Sequence, residues 1–204
     1  MTAWQAPTPP LLLASGSAAR RGVLQRAGLA FSVRAAAIDE AEVKRSARAG
    51  GAAAAETAVL LAELKAQRVA RSDPNALVIG CDQLLVCGDR WFDKPADTAA
   101  ARAQLLALRG QTHELVTAVL CQRGGQRLWH HVARPRLVMR HFSDVFLEAY
   151  LAAEGDAVTG TVGAYRLEGL GVHLFDSVQG EYAAILGLPL LPLLAFLRQH
   201  GVLL

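Results

Sequence analysis

The chain has 204 residues, of which 52% are hydrophobic and 19% charged, with 21 Lys plus Arg against 18 Asp plus Glu. That composition supports a sizeable core and excludes a disordered tail protein; the length points to one domain with room for two lobes. A net charge of +3 is a weak excess, despite a pI near 9.0, and aromatics make up only 6%, so neither a basic nucleic-acid face nor a stacking platform for single strands is expected.

Leu11 to Ala14 follows a Pro-rich lead and reads as a buried strand. Ala18 to Ala27 is helical, with Val23, Leu24 and Ala27 on one side and Gly28 as its stop. Phe31 to Ile38 suits a second strand, and Gly50-Gly51 marks a break. Ala52 to Ser72 is a long Ala- and Leu-rich helix, ended before Pro74. Ala76 to Gly80 is a continuous apolar run that ends in Cys81-Asp82, as in a strand buried on both faces.

Leu84 to Cys87 and Arg90 to Phe92 flank Gly88-Asp89 as a hairpin, and Thr98 to Leu108 is helical. Thr112 to Gln122 and Gln126 to His141 form a long ribbon around Gly124-Gly125. Ser143 caps a helix to about Ala153, with Asp144 in its first turn. A Gly-rich stretch from Gly160 to Gly180 precedes a last amphipathic helix over Pro189 to His200. Strands alternating with helices, then hairpins, predict an α/β fold with a mixed sheet.

MTAWQAPTPP has no positive charge before Leu11-Leu12-Leu13, so no signal peptide is expected. The run from Ile185 to Leu197 is interrupted by Pro189 and Pro192 and falls short of a membrane span. Cys81, Cys87 and Cys121 form no CxxC pair, which favours a reducing cytoplasm over a disulfide scaffold or zinc site.

Five features could carry chemistry. Ser15-Gly16-Ser17 with Arg20-Arg21 suits a phosphate at a helix start, or an ordinary cap followed by solvated arginines. Asp82 at a strand end needs a cation, a metal or hydrogen bonds, or else simply forms a turn. Lys65 lies in line with Leu61 and Val69, so it either snorkels or enters a site; Lys94 in Asp93-Lys94-Pro95 is a surface turn or a ligand. Asp39-Glu40 is a solvated acidic pair or a pair of oxygen ligands for Mg²⁺ or Mn²⁺. Gly163 to Gly171, anchored by Tyr165, Leu167 and Leu170, reads as a shaped loop.

In order, LLLASGSAARRGVL, Asp39-Glu40, LAELKA, VIGCDQ, DKP, LRGQTHELVTAV, VGAYRLEGLG and ILGLPL resemble the Maf family of nucleoside triphosphate pyrophosphatases, from Leu11 to about Gly201. The resemblance implies a single Maf-like domain over 1–204, with residues 1–10 as a flexible lead. Its fold would be that of the inosine triphosphate pyrophosphatases: a mixed sheet with flanking helices, and two lobes around a cleft. It implies metal-dependent cleavage of a nucleoside triphosphate between the α and β phosphates, with Mg²⁺ or Mn²⁺ as cofactor.

Carried over by motif, Asp82 matches the family's proton acceptor and, with Glu40, its metal site. Ser15, Arg20, Lys65 and Lys94 match the triphosphate-binding set. Ala19, Gln83 and Glu168 fall at positions that separate substrates. Gln83 and Glu168 resemble the 7-methyl-GTP branch, but Ala19 stands where that branch has a Trp. A purine-leaning or modified-base substrate is therefore expected, with dTTP or UTP as the alternative.

A second reading, from the family's association with septum formation, is a regulator of cell division that acts without catalysis. An RNA-binding module is suggested by pI alone. The expected partners are a nucleotide and a second copy of the chain, with no stable nucleic acid and no membrane.

Overall fold

The computed structural model describes residues 4–204, which divide into two compact units. One comprises residues up to Gln83 with Thr117–Ala133 and Glu181–Leu204; the other comprises Leu84–Val116 and Arg134–Gly180.

In the first unit, β1 (Leu11–Leu13) lies between β2 (Ser32–Val33) and β3 (Leu77–Cys87), parallel to both. Beyond β3 lies β5 (Thr112–Arg123), whose later half pairs antiparallel with β6 (Gln126–Ala133). Both β3 and β5 continue into the second unit. The sheet is mixed, as the sequence predicts.

The alternation of β3 sorts its residues between two layers. Leu77, Ile79 and Cys81 join a core with Val23 and Leu24 of α1 (Ala18–Arg26) and Leu193, Phe196 and Leu197 of α7 (Leu190–Gln199). The other face, with Gly80 and Asp82, meets α3 (Ala54–Ala70). A Cβ on Gly80 would sit 2.3 Å from the Ala62 carbonyl oxygen and 3.0 Å from the Ala66 Cβ. The missing side chain of Gly80 and the small Ala62 and Ala66 thus let α3 lie directly on the strand.

Three expectations in this unit change. The strand expected over 31–38 shrinks to Ser32–Val33, and Glu40–Ala49 forms a helix, α2, that the sequence reading omits. Glu40 and Glu42 in its first turn and Arg48 in its last complement the helix dipole. Asp82 lies within β3 rather than at its end, because the segment expected as a separate hairpin arm continues the same strand. A short helix, α6 (Tyr182–Ile185), precedes α7. As for the expected lead over residues 1–10, residues 1–3 lie outside the described residues. Gln5 bridges to Leu203, and the Ala6 amide donates to the Val202 carbonyl.

In the second unit, the end of β3 forms the expected hairpin with β4 (Arg90–Phe92), and α4 (Thr98–Leu108) is capped by Asp97. The early half of β5 pairs with β7 (Arg136–Met139), and β7 with β8 (Phe175–Gln179). The ribbon expected to reach His141 therefore breaks near Pro135 into β6 and β7. Ser143 caps α5 (Asp144–Glu154) through a bond from the Phe146 amide. Three short 3-10 turns lie between α5 and β8, the last two of them within the Gly-rich stretch.

Candidate functional site

The site builds outward from Asp82. Its side chain shares the α3 face with Gly80, two residues earlier on the strand. Lys65, in line with the buried Leu61 and Val69, sits on the face of α3 that packs inward. At 7% exposure it enters the site rather than snorkelling. Lys65 Nζ donates to Asp82 Oδ1 at 2.6 Å and lies 2.7 Å from Glu40 Oε1. One ammonium thus joins two carboxylates from different elements.

Helix α2 explains how Glu40 arrives there. Asp39 is the N-cap and accepts a bond from the Glu42 amide, while Glu40 is the first helical residue. The acidic pair therefore divides: Asp39 holds the helix end and Glu40 faces Lys65.

Electrostatics separate the two carboxylates paired with Lys65. Burial pushes the Asp82 carboxyl above its usual range, against the opposing pull of Lys65 and Arg20. Burial also acts to raise Glu40, but the hydrogen bond and charge of Lys65, helped by Lys44 and Arg20, together outweigh it and hold Glu40 low. Asp82 Oδ2 is buried and has no hydrogen-bond partner among the described residues. A bare buried carboxylate oxygen is costly unless it receives a proton, a cation or a donor.

Arg20 follows the loop after β1. Ser17 caps α1 by accepting from the Arg20 amide, and Ser15 is buried. Arg20 Nε donates to the Gly187 carbonyl at 2.8 Å; Nη1 donates to Ser15 Oγ at 3.1 Å and to the Cys81 carbonyl at 3.2 Å. The guanidinium is thereby held next to the Cys81-Asp82 peptide. Arg21 is exposed, and Ala19 packs against the apolar core. Gln83 Nε2 donates to Thr117 Oγ1 at 2.8 Å and to the carbonyls of Ala184 and Ile185, each at 3.1 Å.

These contacts bring Ser15, Arg20, Glu40, Lys65, Asp82 and Gln83 together in the first unit. Across its length the chain matches the family model described as Maf-like protein, over residues 10–200. The chain belongs to the Maf-like family. It is 58% identical to a "Nucleoside triphosphate pyrophosphatase" of Granulibacter bethesdensis over 193 residues, 95% of this chain and 98% of the relative. It is 53% identical to a protein of the same name from Rhodospirillum rubrum, over 96% of this chain and 97% of the relative. It is also 45% identical to a "7-methyl-GTP pyrophosphatase" of Rhizobium meliloti, over 96% of this chain and 98% of the relative.

Lys94 and Glu168, also expected in the site from the resemblance, belong to the second unit, and both are exposed. Gln104 of α4 ties their two segments: its Nε2 donates to the Asp93 carbonyl at 2.8 Å, and its Oε1 accepts from the Gly163 amide at 3.2 Å. The loop bearing Glu168 is braced by Glu154. That buried carboxylate accepts from Arg166 Nε at 2.9 Å and from the Leu170 amide at 3.2 Å. Gly171 lies against the Arg166 backbone, where a Cβ would come within 2.4 Å of the Arg166 carbonyl oxygen. The shaped loop expected from sequence is thus a braced clip. Gln104 and Glu154 were not singled out from sequence, because a lone Gln or Glu on an amphipathic helix carries no signal of its own.

Among the described residues, no group of three or more His, Cys, Asp or Glu side chains is arranged to hold a metal. Two carboxylates and an unpartnered oxygen nevertheless fit a hard cation that completes its shell with water and phosphate oxygens. No helix among the described residues is long and apolar enough to cross a membrane.

Proposed function

We propose that this protein is a nucleoside triphosphate pyrophosphatase that hydrolyses its substrate to the nucleoside monophosphate and pyrophosphate. The observation that carries the reading is the Glu40–Lys65–Asp82 chain with the unpartnered Asp82 Oδ2. Membership of the Maf-like family and the names of the relatives support it, and they favour hydrolysis over a regulator without catalysis.

Ser15, Arg20, Lys65 and Lys94 would bind the triphosphate, since phosphoryl chemistry is governed by positioning and charge neutralisation. Asp82 would accept the proton of the attacking water at Oδ2, which no protein donor occupies. Lys65 and Arg20 favour the ionised form of that carboxylate and oppose the effect of its burial. Glu40 and Asp82 would hold Mg²⁺ or Mn²⁺, which, when bound, supplies charge neutralisation at the phosphates and acidifies water.

Glu168 could accept hydrogen bonds from a guanine edge, and one relative is named for 7-methyl-GTP; both support a purine-leaning or modified-base substrate. Three free cysteines agree with a reducing cytoplasm. The mean hydropathy of +0.25 and the family resemblance both support a homodimer.

Pyrophosphate release across canonical and modified triphosphates, with Asp82→Asn as control, tests the reading. Pyrophosphate from the natural protein and none from the variant is the expected result. Orthophosphate release, or equal rates in both, would overturn it, and a clear preference for dTTP and UTP would overturn the purine assignment.

A further inference from the structure

We propose that Gln83 is a positioning residue that sets the guanidinium of Arg20 through the turn at residues 184–187. The amide of a Gln has two N–H donors, and here both are committed within the protein. Nε2 lies 2.8 Å from Thr117 Oγ1 and 3.1 Å from each of the Ala184 and Ile185 carbonyl oxygens. The opposite amide orientation would set its oxygen against those two carbonyls, so the network itself fixes which end is the donor. Thr117 is fully buried and reinforces the arrangement, donating its own hydroxyl to the Ala184 carbonyl at 3.0 Å.

The carbonyls so engaged belong to the last residues of α6, a helix of four residues. The final carbonyls of a helix lack intrahelical partners and need others. The Gly187 amide donates to the Ala184 carbonyl at 3.0 Å, and Gln83 and Thr117 supply further donors from β3 and β5. Immediately beyond, Gly187 turns the chain with φ +94, a conformation that favours glycine, and its carbonyl accepts Arg20 Nε at 2.8 Å. The other anchors of Arg20, Ser15 Oγ and the Cys81 carbonyl, take Nη1. Nη2 makes none of these bonds and is the edge left for an anion. At the far side of the turn, the Glu181 carboxylate accepts from the Leu190 and Leu191 amides, at 3.0 and 2.8 Å. The 181–191 connection is therefore pinned by side chains on both sides of Gly187, and the position of its carbonyl is inherited by the guanidinium.

The inference rests on the reading of Arg20 as a triphosphate ligand. Base-free inorganic tripolyphosphate separates the two roles that Gln83 could have. With Gln83→Met, which keeps the length of the side chain but removes the donor, KM for every nucleotide and Ki for tripolyphosphate rise together by about tenfold, the scale of one displaced charged hydrogen bond. In an Arg20→Ala background Gln83→Met adds little.

Gly187→Ala reaches the same linkage from the other end, since its Cβ would lie 2.9 Å from Arg20 Nε; it gives the same pattern even if Gln83→Met folds poorly. Hydrogen exchange at Arg20 Nε, followed by NMR, accelerates in both variants and needs no activity. A changed base preference with unchanged tripolyphosphate inhibition would overturn the proposal, as would undisturbed exchange at Arg20 Nε. If the natural protein releases no pyrophosphate and ignores tripolyphosphate while that exchange still responds, the ligand role of Arg20 fails and the positioning stands.

Discussion

The approach of α3 to β3 at Gly80 brings Lys65 to Asp82, so Gly80→Ala tests the architecture of the site without touching a charged group. The added methyl would lie 2.3 Å from the Ala62 carbonyl oxygen, a backbone atom in the middle of α3. Ordinary contact begins near 3.4 Å, so helix and strand must part by about 1 Å. Overpacking of this kind costs about 1–3 kcal/mol, which for a chain of this length is a fall in Tm of about 2–12 °C.

The same displacement stretches the bond of 2.6 Å between Lys65 and Asp82 towards the limit of hydrogen bonding. Misplacement of about 1 Å in a catalytic constellation costs on the order of 10²-fold in rate. Thermal melting with pyrophosphate release measures both effects on one preparation. A variant with unchanged Tm and a rate within twofold of the natural protein would refute the packing argument.

Three other variants follow from the same geometry. Asp82→Asn removes the proton acceptor but keeps its shape, so turnover is lost while Tm is retained; substantial turnover would remove Asp82 from its role. Activity should fall on the acid side as Asp82 protonates, at a pH above the ordinary carboxylate range because burial raises its pKa. Lys65→Met strips the leading opposing charge, so that acid limb moves to higher pH and the rate falls by orders of magnitude; an acid limb that stays in place would contradict the pairing. Glu154→Gln leaves the buried end of the Glu168 loop without its charge partner, so KM rises more than kcat falls; unchanged KM for all nucleotides would show that the clip does not serve the substrate.

What was legible in the sequence depended on how local its physical cause is. The long apolar β3 and the Ala-rich α3 follow from composition and period, and Ser143 announces α5 by its cap. Helix α2 carries little sequence signal because none of its residues is buried and its apolar side consists only of Val43 and alanines; what signal it has lies in the acids at its start and the bases at its end. β8, FDSVQ, lacks a buried face and is held by pairing with β7.

The candidate site was legible as residue types in order, and its pairings were not. Snorkelling is the commoner fate of a lysine such as Lys65, and the close approach at Gly80 decides otherwise. Asp39 and Glu40 look alike in sequence, yet the first helical turn gives them different work. The links from Gln83 to Thr117 and Ala184, distant in the chain, have no signal in the sequence.

The most direct test of the central claim is the fate of solvent oxygen. Hydrolysis in ¹⁸O-water, with the products analysed by mass spectrometry, reports which phosphorus the water attacks. Attack at the α-phosphorus predicts one ¹⁸O atom in the nucleoside monophosphate and none in pyrophosphate, with both products absent for Asp82→Asn. Label in pyrophosphate, or release of nucleoside diphosphate with labelled orthophosphate, would contradict the account.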